Sequence, residues 1–113
     1  MKELRKTFRK KGTDFKQLYK DNNLAVYQLS RPYADGNGHS VWYEVFRYRT
    51  GGMHPMSSDY DPNEVVEKYP SDEEFGVWAW SCSNVESIKK VLNAEFTMRE
   101  SQITAFLASC GLL

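Results

Sequence analysis

The chain has 113 residues, 41% of them hydrophobic and 14% aromatic, with fifteen acids balancing fifteen Lys and Arg. That is enough for one packed domain over residues 1–113 and too little for two separate cores, and the apolar content excludes a disordered chain. Zero net charge removes any whole-protein attraction to nucleic acid or anionic membrane, so a charged partner must be met through local asymmetry.

The asymmetry starts at once. Residues 1–20 carry Lys2, Arg5, Lys6, Arg9, Lys10, Lys11, Lys16 and Lys20 against Glu3 and Asp14. No apolar run follows these cations, so a secretory signal is not expected, and the first dozen residues read as a basic helix or a flexible tail. "TDFKQLYKDNNLAVYQLSR" then reads as two strands around Asp21-Asn22-Asn23, residues that tolerate the left-handed backbone of a tight turn. Leu24 and Val26 share one parity and Ala25, Tyr27 and Leu29 the other, which predicts a central strand covered on both faces.

"RPYADGNGHS" contains two turn dipeptides, Asp35-Gly36 and Asn37-Gly38. "VWYEVFRYR" follows as a strand, with Trp42, Glu44, Phe46 and Tyr48 on one side and Val41, Tyr43, Val45, Arg47 and Arg49 on the other. Residues 24–49 therefore predict a long antiparallel hairpin. "TGGMHPMSSDYDP" reads as an aperiodic loop. Asp61-Pro62-Asn63-Glu64 has the cap, first-turn proline and capping-box acid of a helix start, predicting about two helical turns that stop before Pro70.

In "YPSDEEFGVWAW", Ser71 and Glu74 form an S-x-x-E capping box, Pro70 and Phe75 are spaced as a hydrophobic staple, and Gly76 can end the turn in the left-handed region. The stretch predicts one helical turn that aims the chain into the strand "VWAWSC". There Trp78, Trp80 and Cys82 alternate with Val77, Ala79 and Ser81, and the smaller second face is expected to receive a helix. Ser83-Asn84-Val85-Glu86 opens that helix, with Val85, Ile88, Val91, Leu92 and Phe96 at helical spacing. Thr97-Met98-Arg99-Glu100 repeats the capping pattern before Ile103, Phe106, Leu107 and Cys110, and Gly111 closes the last helix. The predicted fold is α+β, an antiparallel sheet of about four strands covered on one face by two C-terminal helices.

Tyr43-Glu44-Val45-Phe46, then Pro70-Ser71-x-Glu73-x-Phe75-Gly76-x-x-Ala79-Trp80, then an amphipathic helix, resembles small proteins of bacteriophages and mobile elements of gut bacteria over residues 24–96. The resemblance implies a viral or mobile-element origin and a cytoplasmic setting in a bacterial host. It carries no activity to transfer.

The residues offer little for catalysis. His39 and His54 sit in Gly-rich loops without a nucleophile at useful spacing, and Gly36-x-Gly38 lacks the remaining parts of a nucleotide loop. Asp59-x-Asp61-x-Asn63 opens like a calcium loop but has Glu64 where glycine is needed and Pro70 in place of the closing glutamate. Cys82 and Cys110 have no zinc spacing and read as free buried thiols in a reducing cytosol. No enzyme, cofactor, metal or membrane role is expected, and no apolar run reaches the roughly 18 residues of a transmembrane helix.

Two binding readings remain. In the first, a protein partner or a second copy of the chain is met, with the acidic residues Asp59, Asp61, Glu64, Glu67, Asp72 and Glu73 facing a basic groove in place of phosphates. In the second, nucleic acid is met by Tyr27, Arg31, Tyr43, Arg47 and Arg49 on the hairpin, with the basic N-terminal segment as a phosphate clamp.

Overall fold

A computed structural model describes all 113 residues. In chain order the elements are β1 (Thr7–Lys10), β2 (Thr13–Lys20), β3 (Leu24–Pro32), β4 (His39–Arg47), β5 (Arg49–Gly52), β6 (Val65–Lys68), a 3₁₀ turn (Asp72–Glu74), β7 (Ala79–Cys82), α1 (Val85–Phe96) and α2 (Glu100–Ser109). Five strands form one antiparallel sheet in the order β1-β2-β3-β4-β7, while β5 and β6 pair as a separate ribbon. The fold is α+β, with both helices on one face of the sheet. Neither helix is long and apolar enough to cross a membrane.

The period-2 alternation in β3 and β4 separates two cores. Leu24, Val26, Val45 and Cys82 meet Ile88 and Leu92 of α1 and Ile103, Phe106, Leu107 and Cys110 of the last helical segment. On the other face Ala25, Tyr27, Leu29, Phe46 and Ala79 pack with Leu4, and the rings of Phe8, Phe15, Tyr69 and Phe75 close over them. Tyr69 stands edge-on to Phe8, Phe15, Tyr27 and Phe46 with centroids 4.7–5.6 Å apart, the arrangement aromatic quadrupoles favour. The sheet is thus covered on both sides, by helices on one and by irregular chain on the other.

Several expectations change. The N-terminal segment is neither helix nor tail: Thr7–Lys10 is an edge strand, and Lys11-Gly12 turns it back with φ of 51° and 79°. Two positive φ values are the requirement of a two-residue hairpin loop with the strands' own twist. This adds a fifth strand, and its exposed Arg9 and Lys10 are the charges that keep a sheet edge from pairing with other chains.

The predicted helix after Asp61 is also absent. Asp61 accepts the Asn63 N–H at 2.9 Å and stops there, and Val65–Lys68 pairs with Arg49–Gly52 as a strand. β-Branched Val65 and Val66, with an unpaired partner strand at hand, outweigh the local start signal.

α1 lies against the Trp80 and Cys82 side of β7, not the small-residue side: Trp80 meets Phe96 at 5.7 Å, while Ala79 leaves room for the rings on the opposite face. Its cap is Asn84 rather than Ser83, accepting the Ser87 N–H at 2.9 Å. Thr97 ends α1 in the left-handed region instead of opening α2, whose entry is set by Gln102 accepting the Arg99 N–H at 2.9 Å. Gly111, at φ 76°, ends α2 as expected.

Candidate binding surfaces

The 3₁₀ turn is built as its residues dictate. Glu74 Oε1 accepts from Ser71 Oγ at 3.2 Å and from Arg49 Nη2 at 2.5 Å. Burial would raise the Glu74 carboxyl pKa, but these donors outweigh it and hold the group below its usual range. Gly76 then takes φ 92°, its N–H reaches Ala79 O at 2.7 Å, and the Trp78 peptide is held by Glu74 O on one side and the Arg47 N–H on the other. The outcome is a rigid corner on which Val77 and Trp78 stay 59% and 47% exposed.

The six acidic candidates divide by use. Asp59 is paired with the Lys2 ammonium, which lowers its pKa, and Asp61 serves the turn described above. Glu64 lies 3.7 Å from the Met1 amino group. Glu67 is structural: its side chain is 8% exposed, bonds Lys20 Nζ at 3.0 Å and accepts the Leu4 N–H at 2.9 Å. Asp72 and Glu73 are exposed at the start of the 3₁₀ turn and, like Asp61, have no ion-pair partner. Lys2, Lys20 and the Met1 amino group thus take three of the six acids, and Asp61, Asp72 and Glu73 have no cation.

The five residues of the nucleic-acid reading are not brought onto one face. Tyr27 is fully buried, opposite Glu44 in the register, and its hydroxyl donates to Arg5 O at 2.6 Å. Tyr43 points the other way and packs against the helix-side core. Arg47 donates to Glu95 O at 2.7 Å and lies 4.1 Å from the Phe96 ring centroid, capping the end of α1. Arg31 donates to Lys11 O, and Arg49 is held by Glu74. Strand parity separates the two tyrosines, and each arginine already has a structural partner.

The buried ionisable groups have structural surroundings. Tyr69 donates to Glu44 Oε1 at 2.5 Å. Burial raises the Glu44 pKa, the Tyr69 bond opposes that and Asp72 adds to it; the Tyr69 hydroxyl is itself pushed far up, first by burial and then by the Glu44 charge. Both thiols are free and buried, and burial pushes each up to about 11, which leaves almost no thiolate at neutral pH. His54 Nδ1 accepts the Met56 N–H at 3.1 Å in an exposed loop. No three His, Cys, Asp or Glu side chains meet in a metal-holding group.

Two surfaces were missed by sequence reasoning. One is the Val77–Trp78 corner, where the signal was available: residues directly after a glycine turn precede the first ladder pair and lie outside the sheet. The other is an open cleft of about 1270 Å³ lined by the N-terminal segment, β1, the 53–59 loop and β6. It depends on segments some fifty residues apart, and no local pattern announces it. No family model, curated protein or solved structure matches the chain.

Proposed function

We propose that the chain is a non-enzymatic protein-binding module, and that Asp72, Glu73, Val77 and Trp78 form its contact surface. The observation that carries this reading is the half-exposed Trp78 on a corner held by its own backbone bonds and by the Arg49–Glu74 pair. Tryptophan is the residue most able to anchor an interface, and a held corner loses little entropy when it is covered. The adjacent unpaired carboxylates select a partner with a basic rim around an apolar pocket. The resemblance of residues 24–96 to phage and mobile-element proteins supports a setting in the bacterial cytoplasm, where a host enzyme or defence protein with a nucleic-acid channel has such a rim.

The test is capture from nuclease-treated bacterial lysate with wild type, Trp78→Ser, the Asp72→Asn/Glu73→Gln double variant and Asp59→Asn. One partner retained by wild type and Asp59→Asn is expected, with Trp78→Ser weakening it by about 2 kcal/mol or more. All variants should melt close to wild type, because the altered side chains are exposed. A partner held equally by every variant, or none held by wild type, overturns the assignment.

A further inference from the structure

The cleft is a separate surface with the opposite charge. Three acids line it, and each is occupied: Asp59 with Lys2, Glu67 with Lys20 and the Leu4 N–H, and Glu3 at 3.8 Å from the same Lys20 ammonium. The same lining holds Arg9, 3.8 Å from Asp14, and Arg5, Lys10 and Lys68, all three exposed and none in an ion pair. Arg5 is placed by the Phe8 ring, 5.0 Å from its guanidinium carbon. Lys68 ends β6, the strand beside which the N-terminal segment runs, so cations from two paired segments and from β1 line one cleft.

The volume exceeds the roughly 300–1,000 Å³ of small-molecule pockets, and the site is open, so its shape suits a polymer crossing it rather than a compact ligand. Arg5 and Lys10 are five residues apart, a reach of at most about 17 Å, comparable with a few phosphate repeats of a nucleic-acid strand. The aromatic residues at the cleft are already committed: Phe8 is stacked on Phe15 at 4.4 Å, and Tyr69 is packed within the second core. Neither leaves a free ring face for a base. An acidic protein would need apolar anchor pockets, and the cleft floor instead presents the filled edge of that core.

We infer that this cleft binds the phosphate backbone of nucleic acid, without regard to sequence, through Arg5, Lys10 and Lys68. With three cations engaged, log K should fall against log salt with a slope of about −2.7 on duplex DNA, about 40-fold between 50 and 200 mM, and about −2.1 on a single strand, about 20-fold.

Fluorescence anisotropy with a labelled mixed-sequence 20-mer DNA, single-stranded and as a duplex, reads this directly, with labelled polyglutamate as the second probe. The expected result is DNA binding with those slopes, equal for unrelated sequences and weaker for polyglutamate. The Arg5→Ala/Lys10→Ala/Lys68→Ala variant should lose binding at least tenfold with unchanged melting, and Arg5→Lys/Lys10→Arg/Lys68→Arg should keep it. Trp78→Ser should also keep it, which separates this site from the protein-binding corner. Absence of DNA binding at 50 mM salt, tighter binding of polyglutamate, or a triple-alanine variant that still folds and binds as wild type would each overturn the inference.

Discussion

Two buried carboxylates show how one residue type serves opposite ends. Glu44 is partly buried beside Tyr69, and its raised pKa means that the native state holds the proton more tightly than the unfolded chain. The associated stability is present below the unfolded carboxylate value of about 4.3 and is lost as pH rises through the folded value. Glu44→Gln retains a carbonyl to accept the Tyr69 hydroxyl and removes the charge. Urea unfolding from pH 4 to 7 should therefore show the variant gaining on wild type as pH increases, and a parallel pair of curves would contradict the assignment.

Glu67 works the other way. Burial alone would lower the Lys20 pKa, yet the Glu67 bond and charge leave it raised. That contribution is complete below the unfolded lysine value of about 10.4 and disappears as pH rises through the folded one. Glu67→Ala leaves Lys20, 17% exposed, with only the longer Glu3 contact and the Tyr48 ring and orphans the Leu4 N–H, so it should cost about 2 kcal/mol at neutral pH by urea titration.

At the scale of elements, the ends of short segments carry much of the definition. Arg47 joins β4 to the last turn of α1 by donating to Glu95 O and covering Phe96. A cation at a helix C-terminus opposes the carbonyl ends of the helix dipole, and the planar guanidinium adds the stacking contact. Arg47→Ala should lower stability by about 1–2 kcal/mol, Arg47→Lys should recover only part of it, and neither should change DNA binding at the cleft. Gly76 offers a cleaner case. A Cβ there would meet nothing within 4 Å, so the cost of Gly76→Val is confined to the backbone at φ 92° and should be about 1–3 kcal/mol. Thermal or urea unfolding measures both, and a neutral Gly76→Val would show that the corner relaxes rather than being held.

For the whole molecule, the weight falls on what covers the second face of the sheet. Helices cover the first, and Ile88→Asp, placing an unpaired charge at a fully buried site, should abolish cooperative unfolding. The second face has no helix. It is closed by Leu4, by Tyr69 and Phe75, and by the bridge in which Lys2 N donates to Val65 O while Glu67 N donates to Lys2 O. The N-terminal segment thereby extends the β5–β6 ribbon and walls the cleft at once. Leu4→Ala should cost about 2–3 kcal/mol, and hydrogen exchange at Glu67 should accelerate with it if segment and ribbon open together.

The helices, the β3–β4 hairpin and the Ser71–Gly76 turn follow from local rules: apolar spacing of 3.6 or 2, side-chain caps, and a glycine where positive φ is required. These signals lie within a dozen residues of one another, so the sequence by itself determined the fold class and most of the first core. The strands β1 and β6, the face of β7 that receives α1, and the cleft were decided by tertiary structure. β1 has Phe8 as its single apolar anchor, and β6 follows a stretch with strong helix-start chemistry; each became a strand because a neighbouring strand, itself held in the fold, offered hydrogen bonds. The same holds for the charges. Glu67 and Asp72 are alike in the sequence, but Lys20 lies forty-seven residues from the first and no cation reaches the second. Charge at a surface depends on which partner the folded chain brings within a few ångströms, and that distance is not a property of any local window.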